Sequence, residues 1–130
     1  ERLLGSRGEL GPDRGVGASL NVVSGRDSRT LGDAAVEAAA ASGASPPVPR
    51  VARAFAAALL LSRGAAVLCM GDEYGHTRGG LEQAPDGPGE PNQMRWDALE
   101  EGRPGAGLMA FVQALAALRQ RRGGGVWPPP

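Results

Sequence analysis

Apolar runs along the chain predict two short strands. The run from Leu20 to Val23 has strand length and stops at Ser24-Gly25, which predicts a short buried strand followed by a turn. The run from Ala65 to Met70, AAVLCM, is continuous rather than alternating, which is typical of a strand buried on both faces. Both strands are therefore expected inside a sheet that is covered by helices.

Apolar positions at three- and four-residue steps predict helices before and after the second strand. Residues 50–63, RVARAFAAALLLSR, carry an apolar stripe, and Gly64 suits the C′ position at which helices often end. Residues 104–122 carry a second apolar stripe and predict the last helix. Residues 30–41 are rich in Ala and predict a partly helical segment with Asp33 in its first turn.

The remaining stretches are rich in Gly and Pro and predict loops. They are residues 1–18, residues 42–49 (SGASPPVP), and a long stretch from Gly71 to about Gln93. A helix, a glycine stop and a buried strand in this order are typical of α/β proteins. We expect the two strands to be parallel neighbours, with helix 50–63 as a right-handed crossover and helix 104–122 packed outside.

Composition indicates one domain with a small core, which we expect to pack against another part of a longer protein. The chain has 130 residues, enough for one ordinary domain, but only 4% are aromatic, so its core must use mainly Ala, Leu and Val. The chain begins at Glu1 and not at Met, and we expect it to be part of a longer protein. All 14 basic residues are Arg, a bias that we attribute to a GC-rich genome rather than to function.

Charge and cysteine content exclude several classes of function. The formal net charge is +0, which disfavours a general nucleic-acid or membrane surface, and the longest apolar runs fall well short of the ~20 residues of a membrane span. The single Cys69 cannot form an internal disulfide and is expected to be an inert core thiol. The Arg-rich RQRR at residues 119–122 is expected to complement the dipole of its own helix.

Candidate cofactor motifs are weak. GVGASL, which begins at Gly15, lacks the third glycine of a dinucleotide turn and precedes a strand instead of a helix, so no nucleotide site is expected. Asp72, Glu73 and His76 could suggest a metal cluster, but the chain has one His and these residues lie in a predicted loop. We interpret them as loop residues with satisfied polar groups, and we predict neither a metal nor another cofactor.

Carboxylates directly after the predicted strands are the strongest candidates for a site. Val23 is followed by Arg26-Asp27, and Met70 is followed by Asp72. In barrels and open α/β sheets the carboxyl ends of the strands carry the site. From the residues alone two interpretations of Asp27 stay open: a functional carboxylate, or an N-cap or turn aspartate before the next helix.

The stretches LNVVSGRDSRTLGD, ARAFAAALLLSRGAAVLCMGDEYGHTRGG and MRWDAL lie around and after these strands. Together they resemble the C-terminal part of the catalytic barrel of isoamylase-type debranching enzymes, in the α-amylase superfamily (glycoside hydrolase family 13). LNVVSGRDSRTLGD is similar to the family pattern N-[FYV]-V-[ST]-x-H-D-x-x-[TS]-L-x-D. ARAFAAALLLSRGAAVLCMGDEYGHTRGG resembles the family's helix, eighth strand and following loop, and MRWDAL resembles a later family motif. The positions that match the first pattern are Asn21, Val23, Ser24, Asp27, Thr30, Leu31 and Asp33.

The resemblance implies a fold and a division of the chain. The fold class would be α/β, a fragment of a (β/α)8 TIM barrel comprising about its last two β/α units. Residues 1–18 would be a loop, residues 19–33 the strand-seven motif, residues 50–75 a helix with strand eight, and residues 104–122 the final helix of that barrel portion.

The resemblance also implies a chemistry, the retaining hydrolysis of α-1,6 branch linkages in starch- or glycogen-type α-glucans. Asp27 would be the family's third catalytic carboxylate, which binds hydroxyls of the cleaved sugar and stabilises the transition state. The nucleophile and the general acid would come from strands four and five, which are not in this chain, so the chain alone is expected to be inactive. The family resemblance allows a plastid or a cytoplasmic location.

Departures from the family pattern keep a second function open. Arg26 stands where the family has a substrate-binding His, the stretch after strand seven is short and rich in Ala, and LEQAPDGPGEP replaces an Asn-rich run. An Arg is longer and permanently charged, and it could pair with Asp27 and occupy it. The alternative is a non-catalytic glucan-binding or regulatory subunit that forms a hetero-oligomer with an active isoamylase. Whether the protein is itself an enzyme therefore stays open at this point.

Overall fold

A computed structural model describes residues 19–25, 27–43, 46–83 and 86–121. Strand β1 is Leu20–Val22 and strand β2 is Ala65–Val67. The expectations for residues 1–18, for Arg26 and for the last residue of the final helix, Arg122, lie outside the described residues.

Three α-helices lie in the described part of the chain: α1 is Leu31–Ala41, α2 is Val48–Leu60 and α3 is Pro104–Arg121. Single turns of 3₁₀ helix occur in the long loop before α3, at Asp72–Tyr74, Glu90–Asn92 and Trp96–Leu99. None of the helices in the described part of the chain is long and apolar enough to cross a membrane.

The two strands are parallel neighbours, as the sequence predicts. Leu20 pairs with Ala65 and Val22 pairs with Val67, so these four side chains share one face of the sheet. Two helices, α1 and α2, lie between the strands in the chain, where we expected one clear crossover helix and a partly helical segment. Parallel strands need such a long connection.

The prediction that both strands are buried is wrong for one face of the sheet. Leu20 is 74% exposed and Val22 is 57% exposed, and Met70 beyond β2 is also exposed. The other face carries Ala66 and Leu68, which pack against the helical core together with Val23. The reason is that the helices in the described residues cover only one side of this two-stranded sheet, so the opposite apolar face is left open.

Helix α1 begins where its sequence provides a cap. Thr30 is the N-cap, and its hydroxyl accepts a hydrogen bond from the backbone N–H of Asp33 at 3.1 Å. The interpretation of Asp27 as the N-cap is therefore wrong, since Thr30 occupies that position. Asp33 lies in the first turn, as predicted.

The boundaries of α2 differ from the prediction at both ends. It begins at Val48 because Pro49 fits the first turn, where a helix needs no backbone N–H from that residue. It ends at Leu60 with Leu61 as C-cap, so Gly64 is not at C′. Gly64 instead adopts φ +88° in the connection to β2, where a Cβ atom would overlap the backbone of Ser19.

Helix α3 packs on α2 and on the 3₁₀ turn that follows β2. Its Arg119 and Arg121 lie in the last turn, where their charge complements the dipole of their own helix as expected. The Arg119 guanidinium also donates hydrogen bonds to the carbonyl oxygens of Leu60 (2.6 Å), the last residue of α2, and of Ser62 (2.8 Å) and Gly64 in the connection to β2. Carbonyls at a helix end lack partners within the helix, so a cation from the neighbouring helix stabilises this end.

The core lies between the three helices and the covered face of the sheet. Three of the seven residues in its buried cluster are Ala, and the cluster consists of Leu31, Ala35, Ala52, Ala56, Leu60, Leu108 and Val112. Ala35 on α1 and Ala52 and Ala56 on α2 are the small members of this cluster, and the two helices pack against each other. The core therefore matches the expected Ala, Leu and Val composition.

Candidate functional site

The loops that follow β1 and β2 meet at one end of the molecule. Because the strands are parallel and in register, their carboxyl ends lie side by side. The loop of residues 23–30 carries Asp27, and the loop of residues 68–80 carries Asp72 and His76. Both loops stand at the end of the sheet where α/β proteins form their sites.

Asp72 joins the two loops. Its Oδ2 atom accepts a hydrogen bond from the Ser24 hydroxyl, and its Oδ1 atom accepts one from the backbone N–H of Leu31 at 2.9 Å. The residue is only 3% exposed. Its carboxylate is therefore used inside the protein and is not available to a ligand.

Asp33 joins the loop that follows β2 to the start of α1. Its carboxylate accepts hydrogen bonds from the Thr77 hydroxyl, from the backbone N–H of Arg78 at 2.9 Å and from the Thr30 hydroxyl at 3.0 Å. Burial pushes the pKa of Asp33 upward, but these hydrogen bonds stabilise the charged form more strongly and hold the pKa below its usual value. Asp33 is thus a structural carboxylate.

Asp27 stands apart from these buried carboxylates. It lies in a turn in which the backbone N–H of Ser28 points to the carbonyl oxygen of Gly25 at 3.4 Å, and its side chain is exposed. The turn interpretation is therefore confirmed, and it is compatible with a functional role. An exposed carboxylate at the rim of this end can accept hydrogen bonds from the hydroxyl groups of a ligand.

Both ring nitrogens of His76 have hydrogen-bond partners within the protein. Its Nε2 atom lies 3.0 Å from the carbonyl oxygen of Pro91, and its Nδ1 atom lies 3.0 Å from the Tyr74 hydroxyl. The carbonyl can only accept, so we assign the proton to Nε2 and let Tyr74 donate to Nδ1. The Tyr74 oxygen in turn accepts from the backbone N–H of Arg95 at 3.1 Å. The interpretation of this loop as one with satisfied polar groups is confirmed.

Glycines allow the loop after β2 to approach α1. Gly71 adopts φ +100°, and a Cβ atom there would lie 2.7 Å from the Cβ of His76. A Cβ atom on Gly32 of α1 would lie 2.6 Å from the carbonyl oxygens of both Gly75 and His76. Only glycine permits contacts this close.

Two further residues that the sequence analysis singled out, Glu73 and Cys69, make hydrogen bonds within the protein. Glu73 accepts a hydrogen bond from the backbone N–H of Gly71 at 2.8 Å within its own turn. Cys69 is partly buried, and its thiol donates to the carbonyl oxygen of Ser24 at 3.1 Å. Among the described residues, no group of three or more His, Cys, Asp or Glu side chains is placed to hold a metal ion.

Sequence reasoning missed the contacts between the loops. The bonds from Ser24 to Asp72 and from Thr77 to Asp33 join residues more than forty positions apart, and no local pattern predicts such pairs. A signal was present, because Ser24 and Asp33 lie in the first stretch that resembles the family and Asp72 lies in the second. If the two stretches had been compared together, they would have suggested that these polar residues form hydrogen bonds with each other's loops.

About half of the chain is similar in sequence to two plant proteins. Isoamylase 1 of Arabidopsis thaliana, a chloroplastic protein, is 42% identical over 70 residues, which is 54% of this chain and 9% of that protein. Isoamylase 1 of Oryza sativa subsp. japonica, also chloroplastic, is 35% identical over 72 residues, or 55% of this chain and 9% of that protein. This part of the chain is isoamylase-like.

The likeness is limited in extent. The matched part corresponds to 9% of the length of each of these isoamylases. No family model matches the chain. The comparisons therefore support an isoamylase-like character for about half of the chain.

Proposed function

We propose that the chain is the closing portion of an isoamylase-like (β/α)8 barrel in a debranching protein that acts on α-1,6 linkages of α-glucans. The observation that carries this proposal is the parallel, in-register pair of strands whose following loops meet at one end, with exposed Asp27 on the first loop. The similarity to two isoamylases over about half of the chain supports the same function.

The sheet supports the barrel part of the proposal. In such a barrel, helices cover the outer face of the strands and apolar side chains of the inner face fill the interior. Here the helices cover one face, and Leu20, Val22 and Val67 leave an apolar stripe on the other. A full barrel has eight β/α units, and the described part of this chain has two strands, so the chain would supply about the closing quarter of those units.

Asp27 would act on the sugar ring at the cleavage point. Retaining glycosidases use one carboxylate as nucleophile and a second as general acid, about 5 Å apart. Asp27 would be a third carboxylate that accepts hydrogen bonds from hydroxyls of the distorted ring and stabilises the positive charge of the transition state. The nucleophile and the acid would come from strands outside this chain.

A second candidate function is a non-catalytic subunit that binds glucan or partners an active isoamylase. The observation that favours it is Arg26, which stands where the family pattern has His and which could pair with Asp27. The replaced Asn-rich run points the same way.

Incubation with amylopectin and an assay of reducing ends test both candidates. We define the whole protein as the polypeptide that carries this chain together with the proposed upstream strands. A debranching enzyme releases linear chains by itself. A partner subunit releases none, binds amylopectin, and changes the activity of an added isoamylase. A whole protein that neither cleaves nor binds amylopectin contradicts both candidates.

A further inference from the structure

The loop that carries Asp27 is held at both of its ends by one carboxylate. Ser24 lies three residues before Asp27 and donates its hydroxyl proton to Oδ2 of Asp72. Leu31 lies four residues after Asp27 and donates its backbone N–H to Oδ1 of the same side chain at 2.9 Å. Asp72 therefore spans the base of the Asp27 loop.

The chemistry of both contacts requires a carboxylate. Each partner is a donor, and an ionised carboxylate is a group with acceptor atoms only, so both oxygens of Asp72 match. An amide at this position would offer an NH2 group to one of two donors. The thiol of Cys69 also donates a hydrogen bond to the backbone carbonyl of Ser24 at 3.1 Å. Ser24 is therefore bonded twice to the segment that follows β2.

Burial makes this arrangement rigid. Ser24 and Asp72 are each 3% exposed, and a hydrogen bond to an ionised group is stronger than one between neutral groups. Among the described residues, no buried side-chain nitrogen or oxygen lacks a hydrogen-bond partner. The exposed Asp27 thus stands on a loop whose two base positions are fixed.

We propose that Asp72 is a positioning residue for Asp27: it joins Ser24 to Leu31 and thereby sets where the Asp27 carboxylate stands at the end of the sheet. The role rests on the proposed function of Asp27 and deepens it. Asp72 itself touches no ligand. It acts through the loop, and a misplacement of a reacting group by about 1 Å can cost about 10²-fold in rate.

The test is Asp72→Asn in the whole protein, with kcat and KM measured separately on amylopectin. We expect kcat to fall by about 10- to 100-fold while KM stays within about twofold, because binding along the glucan does not depend on Asp27 alone. The matched control is Asp33→Asn, which removes a buried carboxylate from the same helix start but does not touch Ser24. The control is expected to lower the thermal midpoint and leave kcat of the folded protein within about twofold.

A milder variant covers the case in which Asp72→Asn does not fold. Ser24→Ala removes the strand-side contact and leaves the bond from Asp72 to Leu31 in place. It is expected to lower kcat by about three- to tenfold. If Ser24→Ala and a folded Asp72→Asn both leave kcat unchanged in an active protein, the positioning role is refuted.

Backbone hydrogen exchange decides the question if the whole protein proves inactive. An inactive wild type contradicts the catalytic candidate function but not the positioning role. Asp72→Asn should then raise exchange at Gly25 and Ser28 while the middle of α2 stays protected, and Asp33→Asn should instead raise exchange at Arg78. Equal exchange at Gly25 and Ser28 in the wild type and Asp72→Asn would overturn the proposal.

Discussion

Two buried carboxylates at the start of α1 show how single residues build this end of the molecule. Asp72 and Asp33 each accept hydrogen bonds from the other loop, and each is nearly closed to solvent. A charge buried in this way costs free energy unless it is fully hydrogen-bonded. The contacts of both residues meet that condition, which is why we treat them as structural groups and Asp27 as the exposed one.

Asp33 predicts a dependence of stability on pH. Its pKa is lower in the folded protein than in the unfolded chain, where it is about 3.9. The stabilisation is therefore fully present above the unfolded pKa and is lost as the pH falls through the lower folded pKa. We expect the thermal midpoint of the 130-residue chain to fall more steeply below about pH 4 in the wild type than in Asp33→Asn.

Thr77→Val provides the control for this prediction. It removes one of the hydrogen bonds that lower the pKa of Asp33 and leaves the carboxylate in place. Its pH dependence should lie between those of the wild type and Asp33→Asn. Parallel curves for all three proteins between pH 7 and about pH 2 would contradict the assignment.

At the scale of elements, the sequence predicted the features that depend on neighbouring residues in the chain. The parallel pairing of the strands and the existence and approximate position of the helices follow from apolar spacing and turn residues. The start of α2 was missed because Pro49 can stand inside a first turn, and the end was missed because Gly64 serves a close approach to Ser19. The partners of Arg119 were missed because they lie at the end of another helix and in the segment after it.

Helix α3 offers a comparison of two glycines in one element. A Cβ atom on Gly105 would overlap the carbonyl oxygen of Ala98 and lie 3.1 Å from that of Tyr74, and both are backbone atoms that cannot move easily. A Cβ atom on Gly107 would approach only the end of the Arg53 side chain, at 3.3 Å. The close packing of α3 on the loop thus depends on Gly105.

Gly105→Ala should therefore lower the free energy of unfolding by about 1 to 3 kcal/mol through overpacking. Gly107→Ala should raise it by up to about 1 kcal/mol, because Ala favours a helix more than Gly does. Urea unfolding of the 130-residue chain measures both. Equal effects of the two substitutions would mean that α3 does not pack on the loop as described.

At the scale of the whole molecule, the open apolar face of the sheet is the main departure from the expected burial. Leu20 and Val22 resemble core residues in sequence but are exposed here. Apolar patterning predicts that a face will be buried and does not say what covers it. The sequence could therefore predict the strands but not how far this chain alone covers them.

The barrel proposal predicts that a charge at Val22 destabilises the whole protein but not the 130-residue chain, whereas a charge at Val36 destabilises neither. They are 57% and 52% exposed in the chain, so Val22→Lys and Val36→Lys should each change its stability by less than about 0.5 kcal/mol. In the whole protein Val22 would face the barrel interior, and a buried unpaired charge should cost about 3 kcal/mol or more. Val36 would stay on the outer side of α1. Urea midpoints that respond equally to both substitutions in the whole protein would contradict the barrel.

The central claim concerns Asp27, and Asp27→Ala in the whole protein tests it most directly. Reducing ends released from amylopectin are compared with those of the wild type and of Glu101→Ala, which removes another exposed carboxylate from the turn before α3. If Asp27 stabilises the transition state, kcat falls by about 10²-fold or more in Asp27→Ala and stays within about twofold in Glu101→Ala. A whole protein that cleaves amylopectin equally well without the Asp27 carboxylate would contradict the account.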